Sequence, residues 1–412
     1  MMEKIRNAEL RCTAAFGRID EIELYNTARV LGAMQEEQVA ARHFAPTTGY
    51  GYDDVGRDTL EHLFAILFGM EAAIVRPQIV SGTHALSLCL FGILKPGDRL
   101  LSATGKPYDT LDEVIGISKS SEGSLAEMGI GYEQVELTDN GYIDVEQIKK
   151  VLWDNPQIRL VTVQRSRGYS LRRSLRPEDI QPLAKMLRAE HSNTVLMVDN
   201  CYGEFVCKQE PSHFGADICV GSLIKNPGGG LAPTGGYIAG REDLIERISY
   251  RMTAPGIGRE VGSYAGSYQP FYQGLFMAPH VVAQALKTAT LAAAVFEDLG
   301  MDTTPSSGED RTDIIQALML GTPERLIAFC QGIQAASPID SMALPEPWDM
   351  PGYQHQVIMA AGTFVSGASI ELSADAPMRE PFTAYLQGGL TYGHGKLALL
   401  RTLESMERKG LL

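Results

Sequence analysis

The sequence predicts an α/β fold: a large domain built on a mostly parallel sheet, followed by a smaller α+β domain at the C-terminus. Two observations lead to this prediction. Between residues 72 and 240, short apolar runs alternate with helical segments, a spacing that favours parallel strands covered by helices on both faces. An alanine-rich stretch at 279–299 then leads into a region that mixes helices with short strands.

The composition is that of a soluble globular protein. The chain has 412 residues, of which 44% are hydrophobic and 21% charged, so more than one domain is expected. The net charge of −14 argues against nucleic acid and anionic membrane as partners. No signal peptide or run of 18 apolar residues is visible, and the six cysteines show no zinc-type spacing. We therefore expect a cytoplasmic protein with free thiols and no bound metal.

Three regions are predicted along the chain. Residues 1–57 form a largely helical N-terminal arm with an intersubunit loop, residues 58–280 the large domain, and residues 281–412 the C-terminal domain with its bridging helix. Apolar residues at helical spacing predict a helix from residue 60. Strands are predicted at 72–75, 99–103, 131–137, 158–163, 195–198, 217–221, 235–239, 357–361, 369–372 and 384–386, and helices at 86–94, 144–152, 177–191 and 279–299.

Two neighbouring strands of the predicted large domain end in residues that carry chemistry. Asp199 follows the run 195–198, and Ser222 and Lys225 follow the run 217–221, just before a Pro-Gly-Gly-Gly segment. In open α/β sheets, ligands bind where the carboxyl ends of the strands meet. Alone, each residue is more commonly a helix cap, a turn residue or a surface residue. Together, in this order, Asp199 and Lys225 point to pyridoxal phosphate (PLP) chemistry.

PLP chemistry requires groups of these kinds. A lysine amine forms a Schiff base with the aldehyde of the cofactor, and a carboxylate keeps the pyridinium nitrogen protonated. A small hydroxyl such as that of Ser222 can hold the phosphate. The lysine, once freed by the substrate amine, can abstract the α-proton as a general base.

Further candidates lie near other predicted element ends. Gly82 and Thr83 belong to a small-residue turn that opens a helix, where free N–H groups and the positive dipole end suit a phosphate. Caps of this kind also begin many helices that bind no ligand. Tyr108 follows the strand at 99–103 and can stack on a flat cofactor; a core or edge aromatic is the alternative.

Three groups of polar residues allow two interpretations each. A glycine-rich loop carries Tyr50, Tyr52 and Arg57, which can reach an anion, although a surface loop with packed aromatics is favoured. Four arginines within 165–173 form either a solvated turn, which is favoured, or part of the mouth of an acidic-substrate site. Arg379 follows a proline-containing turn and is either a surface residue or the partner of a substrate α-carboxylate, which arginine meets with two parallel N–H bonds.

Four motifs together resemble the PLP-dependent enzymes of cysteine and methionine metabolism, the cystathionine and methionine lyases, over most of the chain. They are most similar to the branch described as aluminium-resistance or methionine γ-lyase-like proteins. The motifs are Gly-Tyr-Gly-Tyr-Asp-Asp-Val-Gly-Arg at 49–57, Val-Asp-Asn-Cys-Tyr-Gly-Glu-Phe at 198–205, Gly-Ser-Leu-Ile-Lys-Asn-Pro-Gly-Gly-Gly at 221–230 and Tyr-Leu-Gln-Gly-Gly-Leu-Thr at 385–391.

The resemblance implies the PLP-dependent transferase fold of type I. It also implies a carbon–sulfur lyase that acts on a sulfur-containing amino acid by β- or γ-elimination. Lys225 would bind the cofactor covalently and Asp199 would pair with the pyridine nitrogen. Ser222 with Gly82 and Thr83 would hold the phosphate, and Tyr108 would stack over the ring and take part in catalysis.

The resemblance also implies an assembly. Tyr50 would reach the phosphate of the neighbouring subunit, which makes a homodimer the minimal active unit and a homotetramer the expected assembly.

The chain departs from the pattern of the better-known lyases at three places. Tyr50-Gly51-Tyr52 stands where they carry Tyr-Ser-Arg, so Arg57 is the candidate for the missing phosphate arginine. Ile224 replaces a threonine before the lysine. The C-terminal carboxylate arginine has no clean counterpart, and Arg379 is the candidate. Another type I activity (an aldolase, an aminotransferase or a γ-replacement synthase) and a weakly active binding or regulatory protein therefore stay open.

Overall fold

In the part of the chain that the structure describes, two β-sheets organise the fold, one of seven strands and one of five. The computed structural model describes residues 1–119, 121–350 and 355–412. Among these residues, none of the helices is both long and apolar enough to cross a membrane.

The N-terminal arm is helical, as predicted. Helices α1 (Met2–Arg11) and α2 (Thr13–Glu36) precede a short 3-10 helix at Ala41–Phe44. The arm packs on its own chain: Ile5 is buried in the core of the smaller sheet, and the buried amide of Asn26 donates to the carbonyl of Phe205 at 3.0 Å. Its outer side exposes large apolar side chains, among them Leu24 and Leu31.

The larger sheet is mostly parallel, as predicted. Its strand order is β1-β7-β6-β5-β4-β2-β3, and β7 alone runs antiparallel to its neighbours. Buried apolar strands with helices on both faces are typical of such a sheet. The elements are α3 (Val55–Phe68), β1 (Ala72–Arg76), α4 (Gly82–Ile93), β2 (Arg99–Ser102), α5 (Thr110–Ile115), β3 (Gly131–Gln134), α6 (Val145–Asp154), β4 (Ile158–Gln164), α7 (Gln181–Glu190), β5 (Val195–Asp199), β6 (Ile218–Ser222), β7 (Gly236–Gly240) and α8 (Glu242–Met252).

Strand register brings Asp199 and Lys225 to the same edge of the larger sheet. Strands β5 and β6 are parallel neighbours, and Asp199 pairs with Val220. Ser222 ends β6 two residues later, and Lys225 begins a 3-10 turn at Asn226–Gly228. Both side chains therefore lie at the same edge of the sheet, where parallel strands of this class end in ligand sites.

The Pro-Gly-Gly-Gly segment lets the chain return sharply after Lys225. A Cβ atom on Gly228 would lie 1.8 Å from the carbonyl oxygen of Leu223, and one on Gly229 would lie 2.4 Å from the carbonyl oxygen of Gly274. The backbone of the lysine loop thus packs directly on a helix backbone, which only residues without a side chain permit.

That helix, α9 (Gln269–Asp298), has 30 residues and connects the two sheets. The prediction placed the start of this alanine-rich helix at residue 279. The start was wrong: Pro279 lies inside the helix. Phe271, Tyr272 and Leu275 are buried in the core of the larger sheet, and this packing carries the helix through the proline. The predicted boundary between residues 280 and 281 falls within α9.

The smaller sheet is antiparallel, with the strand order β10-β11-β12-β9-β8. The strand predicted at 369–372 is wrong: these residues form a turn, and β11 begins at Ser373. The Glu371 carboxylate accepts from the N–H groups of Phe364 and Val365 at 2.7 and 2.8 Å, which holds the turn. The elements are β8 (Thr303–Thr304), β9 (Ile315–Met319), α10 (Pro323–Ala336), β10 (Val357–Ala360), β11 (Ser373–Pro377), β12 (Thr383–Gln387) and α11 (Tyr392–Arg408).

Candidate active site

A cavity of about 250 Å³ lies at the carboxyl edge of β5 and β6. We call it the inner cavity. Six of the predicted site residues line it together, although they come from four separate stretches of sequence: Gly82, Thr83, Tyr108, Asp199, Ser222 and Lys225.

The amine of Lys225 is held by groups from both sheets. It donates to the hydroxyl of Ser369 at 2.6 Å and to the carbonyl of Gly367 at 3.2 Å, and it lies 4.9 Å from the centre of the Tyr202 ring. Burial lowers the pKa of this ammonium group, but the charge and hydrogen bond of the Tyr202 hydroxyl, together with the charges of Cys201 and Asp375, outweigh burial and leave the pKa raised. The amine is therefore directed into the cavity in a fixed position.

Asp199 is an acid without a basic partner. Its Oδ1 accepts from the N–H of Cys201 at 3.1 Å, and no lysine or arginine in the described ranges forms a salt bridge with it. Burial raises the pKa of the Asp199 carboxyl, while the Cys201 contacts and the charge of Lys225 oppose that rise. A cationic ligand atom in the cavity would compensate this carboxylate.

The opposite end of the inner cavity has the features of an anion site. Helix α4 begins at Gly82, and its cap Ser81 accepts from the N–H of His84 at 3.0 Å. The first N–H groups of a helix have no intrahelical acceptor. Ser222 is buried beside Gly82, and the Thr83 hydroxyl lies 2.9 Å from that of Thr110. Hydroxyls and free N–H groups thus converge at one helix N-terminus, where anions bind.

Tyr108 forms part of the cavity wall. Its N–H donates to the side-chain oxygen of Gln164 at 2.8 Å, and its ring meets that of Tyr169 edge-on, with 6.0 Å between the ring centres. Its placement in the wall is compatible with the predicted stacking role, which stays a prediction.

A second, polar cavity of about 680 Å³ adjoins the first and shares Tyr108, Gln164 and Gly168 with it. We call it the vestibule. Five basic and three acidic side chains line it, whereas the whole chain has a net charge of −14. Arg379 lies in the vestibule rather than the inner cavity, is exposed, and donates to the carbonyl of Tyr169 at 2.6 Å.

The arginine cluster near the vestibule is not the solvated turn that was predicted. Arg165 and Arg167 are only 1% and 3% exposed. Arg165 donates to the carbonyls of Leu175 and Thr312 and so ties the loop after β4 to the region before β9. Burial lowers the pKa of Arg172 to about 10. The prediction failed because the sequence does not show that backbone carbonyls can accept from these arginines.

The glycine-rich loop lies elsewhere on the chain. Tyr50 is 74% exposed, whereas Arg57 is buried and donates to the carbonyl of Gly51 at 2.7 Å and to Asp58 at 2.7 Å. Neither residue lines the inner cavity. Their predicted contact with the cofactor of a neighbouring subunit stays a prediction.

Sequence reasoning missed further residues at this site, among them Cys201 and Tyr202 in the wall of the inner cavity and Ser369 beside the Lys225 amine. Cys201 and Tyr202 lie two and three residues after Asp199, and their position after a strand end was the available signal. Ser369, in contrast, is 144 residues from Lys225, and no local pattern marks it.

Comparison with known proteins gives the family. The methionine gamma-lyase family model matches residues 1–407. The YnbB protein of Bacillus subtilis, described as uncharacterized, is 52% identical over 396 residues, which are 96% of this chain and 94% of that protein.

Two solved structures extend the comparison. One is a candidate cystathionine beta-lyase involved in aluminium resistance from Listeria monocytogenes. It is 50% identical, has a TM-score of 0.96, and the match covers 98% of this chain and 100% of that one. The PLP-dependent protein YhfS of Escherichia coli is 18% identical, with a TM-score of 0.63 over 95% of this chain and 97% of that one. This distant likeness shows the fold alone, which is the predicted PLP-dependent fold of type I. The chain therefore belongs to the methionine gamma-lyase family.

Proposed function

We propose that this protein is a PLP-dependent carbon–sulfur lyase that acts on a sulfur-containing amino acid. One observation carries the proposal: the amine of Lys225 and the carboxylate of Asp199, from two neighbouring strand ends, face one cavity. Family membership supports both the cofactor and the reaction class.

The residues present fit PLP. Lys225 would hold its aldehyde carbon, the unpaired acid Asp199 its ring nitrogen, and Tyr108 one face of the ring. Its phosphate would lie at the start of α4, held by Gly82 and Thr83 together with Ser222. These groups supply an amine, an uncompensated acid and an anion site within one cavity, and PLP has a matching group for each.

When bound, PLP supplies an electron-accepting ring that stabilises negative charge at the substrate Cα. The protein supplies the proton transfers. The amine of Lys225, already directed by Ser369 and Gly367, takes the proton from Cα as a general base. The negative charge of Asp199 would favour the protonated form of the cofactor's ring nitrogen.

We further propose that the substrate carries a second carboxylate, as cystathionine does. The vestibule supports this, because its basic side chains outnumber its acidic ones on a chain that is otherwise acidic. Basic side chains at a cleft mouth can pair at short range with a carboxylate of a bound substrate. Arg379 would bind the α-carboxylate, and the remaining basic side chains would contact the distal one. Methionine has a thioether end without a carboxylate and would make no such contact.

The experiment is a comparison of substrates. Cystathionine, cysteine, homocysteine and methionine are each incubated with the PLP-loaded protein, and the ketoacid is measured together with the sulfur product, which is a thiol from cystathionine or methionine and hydrogen sulfide from cysteine or homocysteine. The proposal predicts the highest kcat/KM for cystathionine and a decrease of that advantage at high salt, because salt screens the vestibule charge. Pyruvate with homocysteine would indicate β-elimination, and 2-oxobutyrate with cysteine γ-elimination.

Two results would contradict the proposal. If every substrate gave a ketoacid but none released its sulfur product, a different PLP activity would be indicated. A higher kcat/KM for methionine than for cystathionine, independent of salt, would remove the second-carboxylate part and leave the lyase part intact.

A further inference from the structure

Tyr202 has an unusual backbone conformation at the edge of the inner cavity. Its φ is 72°, a left-handed value that a bulky side chain adopts at an energetic cost. The N–H of Gly203 donates to Asn200 at 2.9 Å, and the N–H of Ile314 donates to the carbonyl of Tyr202 at 3.2 Å. The surroundings thus hold the residue in a strained state, and such strain concentrates at functional sites.

The side chain of Tyr202 lies against the amine of Lys225. The Nζ atom is 4.9 Å from the centre of the ring, within the range at which an aromatic face attracts a cation. The tyrosine hydroxyl also interacts with Ser369 and with Lys225. The lysine amine is therefore in contact with both an aromatic face and the Ser369 hydroxyl.

We propose that Tyr202 is a positioning residue whose ring holds the side chain of Lys225 over the cavity and stabilises the ammonium form of its amine. The inference rests on the proposed function, in which Lys225 accepts a proton from the substrate carbon. An amine whose ammonium form is stabilised is a stronger base. The ring supplies this stabilisation without a negative charge, which would repel the carboxylate of an amino-acid substrate.

Other titratable groups face Lys225, and their contributions depend on pH. Asp199 ends β5, Cys201 lies in the segment after it, and Asp375 comes from β11. Burial raises the pKa of the Cys201 thiol well above its usual value and also raises the pKa of Asp375, so burial reduces the negative charge that these two groups offer. The attraction of a ring face requires no ionisation.

The test measures the amine without any cofactor. The full-length chain, prepared without PLP, is labelled with trace acetic anhydride from about pH 7 to about pH 11, a range that brackets ordinary lysine titration. Mass spectrometry of the peptide that contains Lys225 then gives the apparent pKa of its amine. Tyr202→Gly removes the ring and suits a left-handed backbone, whereas Tyr202→Phe keeps the ring and removes the hydroxyl.

We expect the apparent pKa of Lys225 to fall by about 0.5–1 unit in Tyr202→Gly, equivalent to about 0.7–1.4 kcal/mol at 1.36 kcal/mol per unit. Tyr202→Phe keeps the contribution of the ring, so its Lys225 pKa should lie closer to that of the unaltered protein than to that of Tyr202→Gly. Tyr385→Leu, which removes another ring of the same aromatic cluster, is the matched control and should leave the Lys225 pKa unchanged.

An unchanged pKa in Tyr202→Gly, or an equal fall in the Phe and Gly variants, would overturn the assignment to the ring. If the Gly variant does not unfold cooperatively, Tyr202→Asn replaces it, because asparagine also tolerates this backbone conformation. The same fall in the Lys225 pKa is expected for that variant. Neither the label nor the measurement involves PLP. Absence of lyase activity would therefore overturn the proposed function and leave the result on Tyr202 standing.

Discussion

The amine of Lys225 donates a 2.6 Å hydrogen bond to the hydroxyl of Ser369, 144 residues along the chain. Lys225 lies just after the end of β6 in the larger sheet, and Ser369 lies just before β11 of the smaller sheet. The position of the reactive amine therefore depends on how the C-terminal region packs on the larger sheet. This dependence leads to the first prediction.

Ser369→Ala should slow proton abstraction by about 10- to 100-fold, because a hydrogen bond to a charged group contributes about 1.5–3 kcal/mol. Cofactor uptake should persist, since the amine itself is unchanged. The rate of exchange of the substrate α-proton in deuterated water measures the effect. Ser373→Ala is the matched control, because the buried Ser373 hydroxyl has no hydrogen-bond partner among the described residues. Equal exchange rates in the two variants would show that the Ser369 hydroxyl does not contribute to proton abstraction by Lys225.

Asp199→Ala should retain covalent attachment of PLP at Lys225 but reduce kcat by several powers of ten, each corresponding to about 1.4 kcal/mol of lost transition-state stabilisation. The reason is that, among the described residues that line the inner cavity, Asp199 is the only acid that could keep the ring nitrogen protonated. Absorption spectra check cofactor content, and steady-state kinetics check the rate. Near-native turnover would return Asp199 to the role of a strand-end turn residue.

Arg379→Lys should raise KM for an amino-acid substrate by at least about tenfold, since the two parallel N–H bonds to the carboxylate are lost while the charge is kept. The spectrum of the cofactor-loaded protein should not change. Arg401→Lys, an exposed residue of α11, is the control. Saturation curves that coincide for the two variants would exclude Arg379 as the carboxylate partner.

A shared active site predicts complementation between subunits. Tyr50 is exposed on its own chain, as a residue that reaches into a neighbour must be. Arg57 should not be mutated in this test, because it is buried and supports the loop. Hybrids of an inactive Lys225→Ala chain with an inactive Tyr50→Phe chain should regain activity. Hybrids confirmed by native mass spectrometry that stay inactive would indicate sites built within one chain.

Gly228→Ala should destabilise the protein by about 1–3 kcal/mol or more, because its Cβ would overlap a backbone carbonyl that cannot move freely. Thermal unfolding measures the loss. Gly32→Ala in α2 is the contrasting control: its Cβ meets nothing within 4 Å, and alanine in a helix is favoured over glycine by about 0.5–1 kcal/mol. An unshifted unfolding temperature for Gly228→Ala would show that the lysine loop can relax.

The sequence predicted the mostly parallel sheet well, because its buried strands are continuous apolar runs with clear ends. Asp199 and Lys225 were found for the same reason: each follows a strand end, and parallel strands collect such residues at one edge. Gly82, Thr83 and Tyr108 also lie at element ends. The inner cavity was therefore largely predictable from local patterns.

What could not be predicted depends on contacts between distant segments. The start of α9 was set ten residues late, because tertiary packing of Phe271 and Leu275 outweighs the local preference of Pro279. Ser369 carries no local signal, since only the packing of the two sheets brings it to Lys225. The burial of Arg165 depends on the Thr312 carbonyl, 147 residues away.

The most direct test of the central claim is the site at which PLP attaches. The protein is mixed with PLP, reduced with borohydride, digested and mapped by mass spectrometry. The account predicts a yellow protein that loses its visible absorption on reduction, with one cofactor fixed on the peptide that contains Lys225 and none in the Lys225→Ala variant. A colourless protein that takes up no PLP, or a cofactor fixed on another lysine, would contradict it.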